Sequence, residues 1–168
     1  MGLQRRLGRR ACSSSAQRGT AAVEFALVSV VLIPILFGIL QYGLYFNSSL
    51  NADQGVRETA RMAVVQRSSA GCSTTGWAAI SCTAEDMVGG APADTYVKVA
   101  APDGWKKGNS LLVCVLVKSG SAFGMLPMPN DGFVRSNLRM SIEQADPAPT
   151  GSGSSETLPS GQDWSWCS

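Results

Sequence analysis

Residues 18–46 of the chain, RGTAAVEFALVSVVLIPILFGILQYGLYF, decide the fold. Within this stretch, Phe25 to Phe46 form a run of 22 residues without a charged side chain. At about 1.5 Å per residue such a run makes a helix of roughly 33 Å, close to the thickness of the hydrocarbon core of a bilayer. The run is longer than the apolar region of a secretory signal, which has about 7–15 residues. We therefore predict a membrane-spanning helix over about residues 25–46.

The charges that precede this run predict its orientation. All charged residues before Glu24 are arginines: Arg5, Arg6, Arg9, Arg10 and Arg18. Cationic side chains next to a span are retained on the cytoplasmic side of the membrane. We therefore expect the N-terminus inside the cell and the residues after about 47 outside the cytoplasmic membrane. Because these basic residues gather at one end of a membrane helix, the pattern argues against a nucleic-acid partner.

The composition narrows the classes of chemistry that the chain could carry out. The 168 residues include 14 basic and 12 acidic side chains and no histidine. The lack of histidine excludes Ser-His-Asp and Cys-His catalysis and histidine-ligated metals. No nucleophile–base pair or phosphate-binding loop is visible, and the adjacent acids Glu85 and Asp86 are typical of a solvated loop. We predict a protein that is not an enzyme, with no cofactor, no metal site and no small-molecule substrate.

Glu24 lies one residue before the uncharged run, in an apolar context. Its position alone is compatible with a boundary residue among the lipid headgroups. Its surroundings are more specific, because a basic leader and Gly19 are followed by five residues that end in Glu24, by the aromatic Phe25 and by a long apolar helix. This order resembles the type IV prepilins. The fuller pattern RGTAAVEFALV, LFGILQYG and RETARMA, within about residues 18–67, resembles the TadE-like branch, the minor pilins and pseudopilins of tight-adherence (Flp) pilus systems.

The resemblance implies a maturation step and an assembly contact. A prepilin peptidase would cut between Gly19 and Thr20, where glycine lets an extended backbone approach the enzyme. Glu24, followed by Phe25, would pair with the N-terminus of a neighbouring subunit and so select the register between subunits. The implied partners are the membrane, the prepilin peptidase, other pilins, and the inner-membrane platform with its assembly ATPase.

One departure from the family pattern bears on the role of the chain. Major Flp pilins are very short and usually carry Glu-Tyr, whereas this chain has Glu24-Phe25 and a large C-terminal region. The departure favours a minor or priming subunit that takes part in pilus assembly and adhesion. We expect a single-pass protein of the cytoplasmic (inner) membrane whose C-terminal domain is extracytoplasmic and which could enter a surface pilus. The alternative is an uncleaved, single-pass anchored module that binds or senses an extracytoplasmic ligand.

The residues after the span predict an α+β, pilin-like fold. Residues 51–66 have a helical period, so the membrane helix is expected to continue as a stem, although two helices broken near residues 47–49 are an alternative. Residues 68–95 lack a period and predict mostly loop. The strand patterns are Tyr96–Ala100, Leu111–Val117 and Val134–Glu143. We expect these strands to form a small antiparallel sheet that packs against the outer half of the helix.

Four domains follow from these patterns. They are a basic leader (1–19), a transmembrane helix with its stem (20–67), an extracytoplasmic α+β domain (68–144) and a low-complexity tail (145–168). Residues 145–162 of the tail contain no core-forming side chains and predict a linker. The tail then ends with two tryptophans and a cysteine at residues 164–167, which indicates docking onto the sheet or, alternatively, onto another subunit.

The cysteines are divided by the predicted membrane. Cys12 lies in the leader, on the reducing side, and Cys72, Cys82, Cys114 and Cys167 lie outside. An even number in an oxidising compartment favours two disulfides. Of the three connectivities we prefer Cys72–Cys82, which closes a short loop, with Cys114–Cys167, which fastens the tail to the central strand. A metal site is disfavoured because the chain has no C-x-x-C spacing.

Overall fold

The computed structural model describes residues 14–72, 76–89, 94–119, 127–149, 151 and 153–168. Its elements are α1 (Ser14–Val64), α2 (Trp77–Val88), β1 (Thr95–Ala100), β2 (Ser110–Lys118), a short 3-10 helix (Pro129–Gly132), β3 (Phe133–Ser141) and β4 (Gly153–Ser155). A long apolar N-terminal helix followed by a small antiparallel sheet confirms the α+β prediction. Residues 1–13 of the predicted leader, with Cys12, lie outside the described residues.

Helix α1 is continuous over 51 residues and contains Pro34. It continues through residues 47–49, so the alternative of two separate helices is wrong. The chain divides into one unit that ends at Ile39 and a second unit from Leu40 to Ser168. In the second unit, α1 contributes to the core a stripe of small apolar residues: Ala52, Val56, Ala60, Ala63 and Val64.

The four strands form an antiparallel sheet in the order β3-β2-β1-β4. The central strand β2 is paired on both sides, with Val113 opposite Val99 of β1 and Leu138 of β3. Its residues from Leu111 to Val117 are buried, as expected of an apolar run that does not alternate. One face of the sheet, which includes Val113, forms the main core together with α1 and α2.

Helix α2 contradicts the prediction of mostly loop for residues 68–95. Trp77 and Ile80 of this helix are buried in the main core. Its mixture of Ala, Ser, Thr and Cys gives a weak local helix signal, so tertiary packing decides the conformation. The packing is close, because a Cβ atom added at Gly55 of α1 would lie 2.6 Å from the Val88 Cγ2 of α2. Glycine at position 55 therefore permits the approach of α2 to α1.

Strand β4 corrects the prediction of a linker at residues 145–162. It pairs with the outer edge of β1, where Gly153 lies opposite Ala100 and Ser155 lies opposite Lys98. A Cβ atom added at Gly153 would collide with the carbonyl oxygen of Val99, so glycine permits this close pairing. A strand of three residues is too short for an alternating pattern, and only the neighbouring edge of β1 determines it.

Candidate functional site

The predicted cleavage position, between Gly19 and Thr20, lies in the second turn of α1, which begins at Ser14. The backbone is helical there, so a peptidase that binds an extended segment needs this part of the helix unwound. A Cβ atom added at Gly19 would have no neighbour within 4 Å. Glycine is about 1 kcal/mol less favourable than alanine inside a helix. Packing among the described residues gives no reason for glycine at this position.

Glu24 follows Thr20 by one helical turn and lies on the same side of α1. Gly19, Thr20, Val23, Glu24 and Leu27 line a shallow depression. Among the side chains that the structure describes, none forms a hydrogen bond or an ion pair with the Glu24 carboxylate. Glu24 is thus a carboxylate without a partner in the described part of its own chain, at the start of an apolar helix.

Most of the apolar surface that begins beside Glu24 is uncovered, whereas Phe37 is half-buried. The exposed large apolar side chains have between 48% and 74% of their surface accessible: Val23, Phe25, Leu27, Val28, Val30, Val31, Leu32, Ile33, Ile35, Leu36, Ile39 and Leu40. The most apolar part of α1 is long enough to cross a membrane, and none of it is buried within the described chain. A helix that is apolar all round is stable in lipid or among other apolar helices. The helix therefore fits a single-pass membrane anchor.

The structure joins Cys72 to Cys82 and Cys114 to Cys167, with Cα–Cα distances of 5.8 and 5.9 Å. These are the two pairs preferred from the sequence. The first disulfide links the segment after α1 to α2, and the Ser69 hydroxyl lies 3.2 Å from the Cys72 Sγ. Cys114 is fully buried in β2, on the face of the sheet that is opposite the main core. The second disulfide therefore fastens the tail over that face.

Two tryptophans extend this cover. Trp164 and Trp166 pack against the cluster formed by Leu112, Cys114 and Cys167, and their ring centroids lie 5.5 Å apart. Each ring has a cation beside it, because the Lys98 Nζ lies 6.0 Å from the Trp164 centroid and the Arg135 guanidinium lies 5.8 Å from the Trp166 centroid. The tryptophan- and cysteine-containing end of the tail thus docks onto the sheet of its own chain.

The structure contains a carboxyl pair that the sequence does not predict. Glu85, for which the sequence predicts a solvated loop, is half-buried on α2, beside Glu156, which follows β4. The Glu156 Oε2 accepts a hydrogen bond of 3.0 Å from the Val97 backbone N–H. Burial raises the pKa of Glu85 above its ordinary value of 4.5, and the hydrogen bond to Glu156 and the negative charge of Glu156 raise it further. No local pattern brings these two acids together, so only the tertiary fold shows the pair.

We expect the domain to become less stable as the pH rises through the raised pKa of Glu85. The folded state binds this proton more tightly than the unfolded chain, so the stabilisation is complete below the ordinary pKa and is lost above the raised one. Glu85→Gln should therefore flatten this part of the pH profile and raise stability at neutral pH. Urea unfolding between about pH 4 and 8 measures the effect. Asp86→Asn, at an exposed neighbour, is the control, and an unchanged slope in Glu85→Gln contradicts the prediction.

A cleft lies near the C-terminal end of α1. Its lining includes apolar, aromatic and cationic groups: Ala63, Gln66, Arg67, Ile80, Trp105, Pro147 and Pro149. The Gln66 Nε2 donates a hydrogen bond of 2.8 Å to the Pro147 carbonyl, which holds the two sides of the cleft together. Within the described ranges, no group of three or more Cys, Asp or Glu side chains is placed to hold a metal ion.

Comparison with known proteins supports the resemblance found in the sequence. A family model described as TadE-like protein matches residues 19–61. The match confirms the TadE-like resemblance and begins at Gly19, so it includes Glu24 and most of α1 but leaves the sheet outside. No curated protein and no solved structure matches the chain.

Proposed function

With a TadE-like segment at residues 19–61, we propose that this chain is a structural minor pilin or pseudopilin of a tight-adherence (Flp) pilus. In this proposal a prepilin peptidase removes residues 1–19, and the mature subunit takes part in pilus assembly through its N-terminal helix. The observation that carries the proposal is the uncovered apolar surface of α1, with Glu24 at its start. Such a surface requires lipid or other apolar helices around it.

Cleavage would create a positively charged group that can pair with the Glu24 carboxylate. It leaves an ammonium group on Thr20, at the new N-terminus of each subunit. In a packed bundle of apolar helices, an unpaired carboxylate costs several kcal/mol, and a well-placed opposite charge offsets that penalty. The ammonium group of a neighbouring subunit supplies the opposite charge only in registers that bring the two groups together. Glu24 thereby selects the register, while contact between the apolar helices supplies the attraction.

The proposal also assigns location and partners. The arginines of the leader hold the N-terminus in the cytoplasm, and the sheet domain is extracytoplasmic. The partners are the prepilin peptidase, the inner-membrane platform, the assembly ATPase and other pilins, with no nucleic acid and no small-molecule substrate. Adhesion is then an output of the pilus system to which the subunit contributes.

Gly19→Val should block removal of the leader, whereas Gly43→Val should not. An added Cβ has no neighbour within 4 Å at either glycine, so neither variant is expected to disturb packing. A side chain at position 19 obstructs the approach of the peptidase to the bond. Intact-mass measurement from peptidase-competent cells should show wild type and Gly43→Val beginning at Thr20, and Gly19→Val retaining the leader. A wild-type chain that keeps residues 1–19 in such cells overturns the proposed processing.

The uncleaved binding or sensing module remains a second candidate, and the cleft near the end of α1 favours it. Its lining includes an aromatic residue, Trp105, a cationic residue, Arg67, and two prolines, a mixture common in binding sites. The same mass measurement separates the two candidates, because a module of this kind keeps its leader. A wild-type chain that begins at Thr20 excludes the uncleaved module.

A further inference from the structure

The contact between α1 and the domain begins before the span predicted from the sequence ends. Gln41 is only 1% exposed, although the predicted span continues to Phe46. The Tyr42 hydroxyl donates a hydrogen bond of 3.1 Å to the Pro127 carbonyl, and Tyr45 packs against the main core. From Gln41 onward, one side of α1 is therefore covered by protein and cannot face lipid.

The segment that α1 meets at Tyr42 has an irregular backbone. Pro127 and Met128 lie outside helices and strands and lead into the short 3-10 helix Pro129–Gly132, where Asp131 is exposed. Hydrocarbon tolerates backbone only where its polar groups are satisfied within a helix or a closed barrel. A span that continued to Phe46 would draw this segment and its charged residue toward the hydrocarbon. The contact at Tyr42 thus marks the outer limit of the span.

We propose that the hydrocarbon-spanning part of α1 runs from Thr20 to Leu40 and that the domain meets the lipid headgroups from Gln41 onward. The inference rests on the proposed membrane insertion and replaces the predicted span of about 25–46. At about 1.5 Å per residue, the stretch from Thr20 to Leu40 is roughly 32 Å long, which matches a hydrocarbon core of about 30 Å.

The side chains at both ends of the shifted span suit their new positions. Tyr42 and Tyr45 lie at the outer interface, where amphipathic aromatic rings are enriched. In a span that ends at Phe46, Tyr42 would instead lie four residues, or about 6 Å, inside the hydrocarbon. At the other end, Arg18 lies just before Thr20, on the cytoplasmic side of the boundary.

The shift changes the surroundings of Glu24. If the span began at Phe25, the carboxylate would lie among the headgroups. With Thr20 at the boundary, Glu24 is four residues, or about 6 Å, inside the hydrocarbon. A carboxylate in hydrocarbon requires a cation or hydrogen-bond donors beside it. The hydrocarbon therefore favours pairing of the Glu24 carboxylate with a cation or a hydrogen-bond donor before any filament forms.

Spin labels along the exposed side of α1 can locate the boundary. Each of five sites would be changed to cysteine in the full chain with Cys12→Ser: Leu32→Cys, Leu36→Cys, Leu40→Cys, Leu44→Cys and Phe46→Cys. The labelled proteins are placed in phosphatidylcholine–phosphatidylglycerol vesicles, and collisions with oxygen, which concentrates in hydrocarbon, are compared with collisions with a water-soluble nickel complex. Asn51→Cys, an exposed site on the domain part of α1, is the aqueous control.

The oxygen-to-nickel ratio should be high at Leu32 and Leu36 and should fall severalfold between Leu40 and Leu44. Phe46 distinguishes best between a span that ends at Leu40 and one that ends at Phe46. Its side chain is 63% exposed, so among these sites it most favours the longer span. A ratio at Phe46 as high as that at Leu36 overturns the shifted boundary while leaving membrane insertion intact. A low ratio at every site, including Leu32, overturns membrane insertion and the proposed function together.

Discussion

Replacing Cys114 and Cys167 together by alanine should lower the free energy of unfolding by about 4 kcal/mol. The two cysteines are separated by 53 residues, and the constraint that a disulfide places on the unfolded chain grows with the logarithm of the loop length. Cys114 is fully buried, so its truncation also loosens the packing beneath Trp164 and Trp166. Denaturant unfolding of the full chain in detergent, followed by tryptophan fluorescence, measures the loss.

The other disulfide provides the matched control. Cys72 and Cys82 are separated by 10 residues, so the double alanine variant at this pair should lose about 3 kcal/mol. Only the variant at Cys114 and Cys167 should also shift the emission of the folded protein to longer wavelength, because only that pair holds the two tryptophans of the tail. A larger loss for the Cys72–Cys82 pair than for the Cys114–Cys167 pair would contradict the dependence on loop length from which both values are predicted.

Glu24→Gln should lower incorporation of the chain into pili roughly tenfold or more. Glutamine keeps the size of the side chain but removes its charge, so the ammonium group of the neighbouring subunit is left without a counter-charge in a low-dielectric bundle. Leaving one partner of such a pair unpaired costs about 3–5 kcal/mol, which more than accounts for a tenfold loss. Immunoblots of the sheared pilus fraction, normalised to the membrane fraction, give the measurement.

Glu58→Gln is the control for this prediction. Glu58 is an exposed carboxylate on the same helix, within the domain part of α1, so its change should leave incorporation unchanged. Glu24→Asp keeps the charge on a shorter side chain and should retain part of the incorporation. Unfolding of the domain should be the same in all three variants. Incorporation of Glu24→Gln at the wild-type level would show that the carboxylate does not select register.

The elements that the sequence predicts are those with a strong local pattern. The uncharged run predicts α1, and the apolar stretch Leu111–Val117 predicts the central strand β2, observed at Ser110–Lys118. The alternation that predicts a strand over residues 134–143 corresponds to β3, which ends two residues earlier. In each case, neighbouring residues determine the conformation, and distant contacts only adjust the ends.

The elements that the sequence does not predict depend on contacts between distant residues. From the sequence alone, Gly55 is a residue that weakens a helix. In the structure, Val88 of α2 occupies the space that a side chain at position 55 would need. The three residues of β4 become a strand because the edge of β1 is free to pair with them. Glu85 and Glu156 likewise meet only through the packing of α2 beside this edge. None of these contacts produces a periodic pattern in the sequence.

The candidate site also contains features that the sequence predicts and features that it does not. Gly19, Thr20 and Glu24 can be named from the sequence because the processing that we propose depends on a linear segment. The limit of the membrane span cannot be predicted from the sequence, because the sequence does not show whether lipid or protein covers an apolar side chain. The boundary that we propose rests on the burial of Gln41 and the hydrogen bond of Tyr42, which exist only in the folded chain.

The disulfide between β2 and the tail imposes an order on events during synthesis of the chain. Leu112 and Cys114 leave the ribosome 50 or more residues ahead of the side chains that cover them. At synthesis rates of about 5–20 residues per second, this face of the sheet is uncovered for roughly 3–10 s. In the extracytoplasmic location that we propose, oxidation of Cys114 with Cys167 therefore follows translocation of nearly all of the domain. During that interval, Cys114 is open to pairing with another cysteine of the chain.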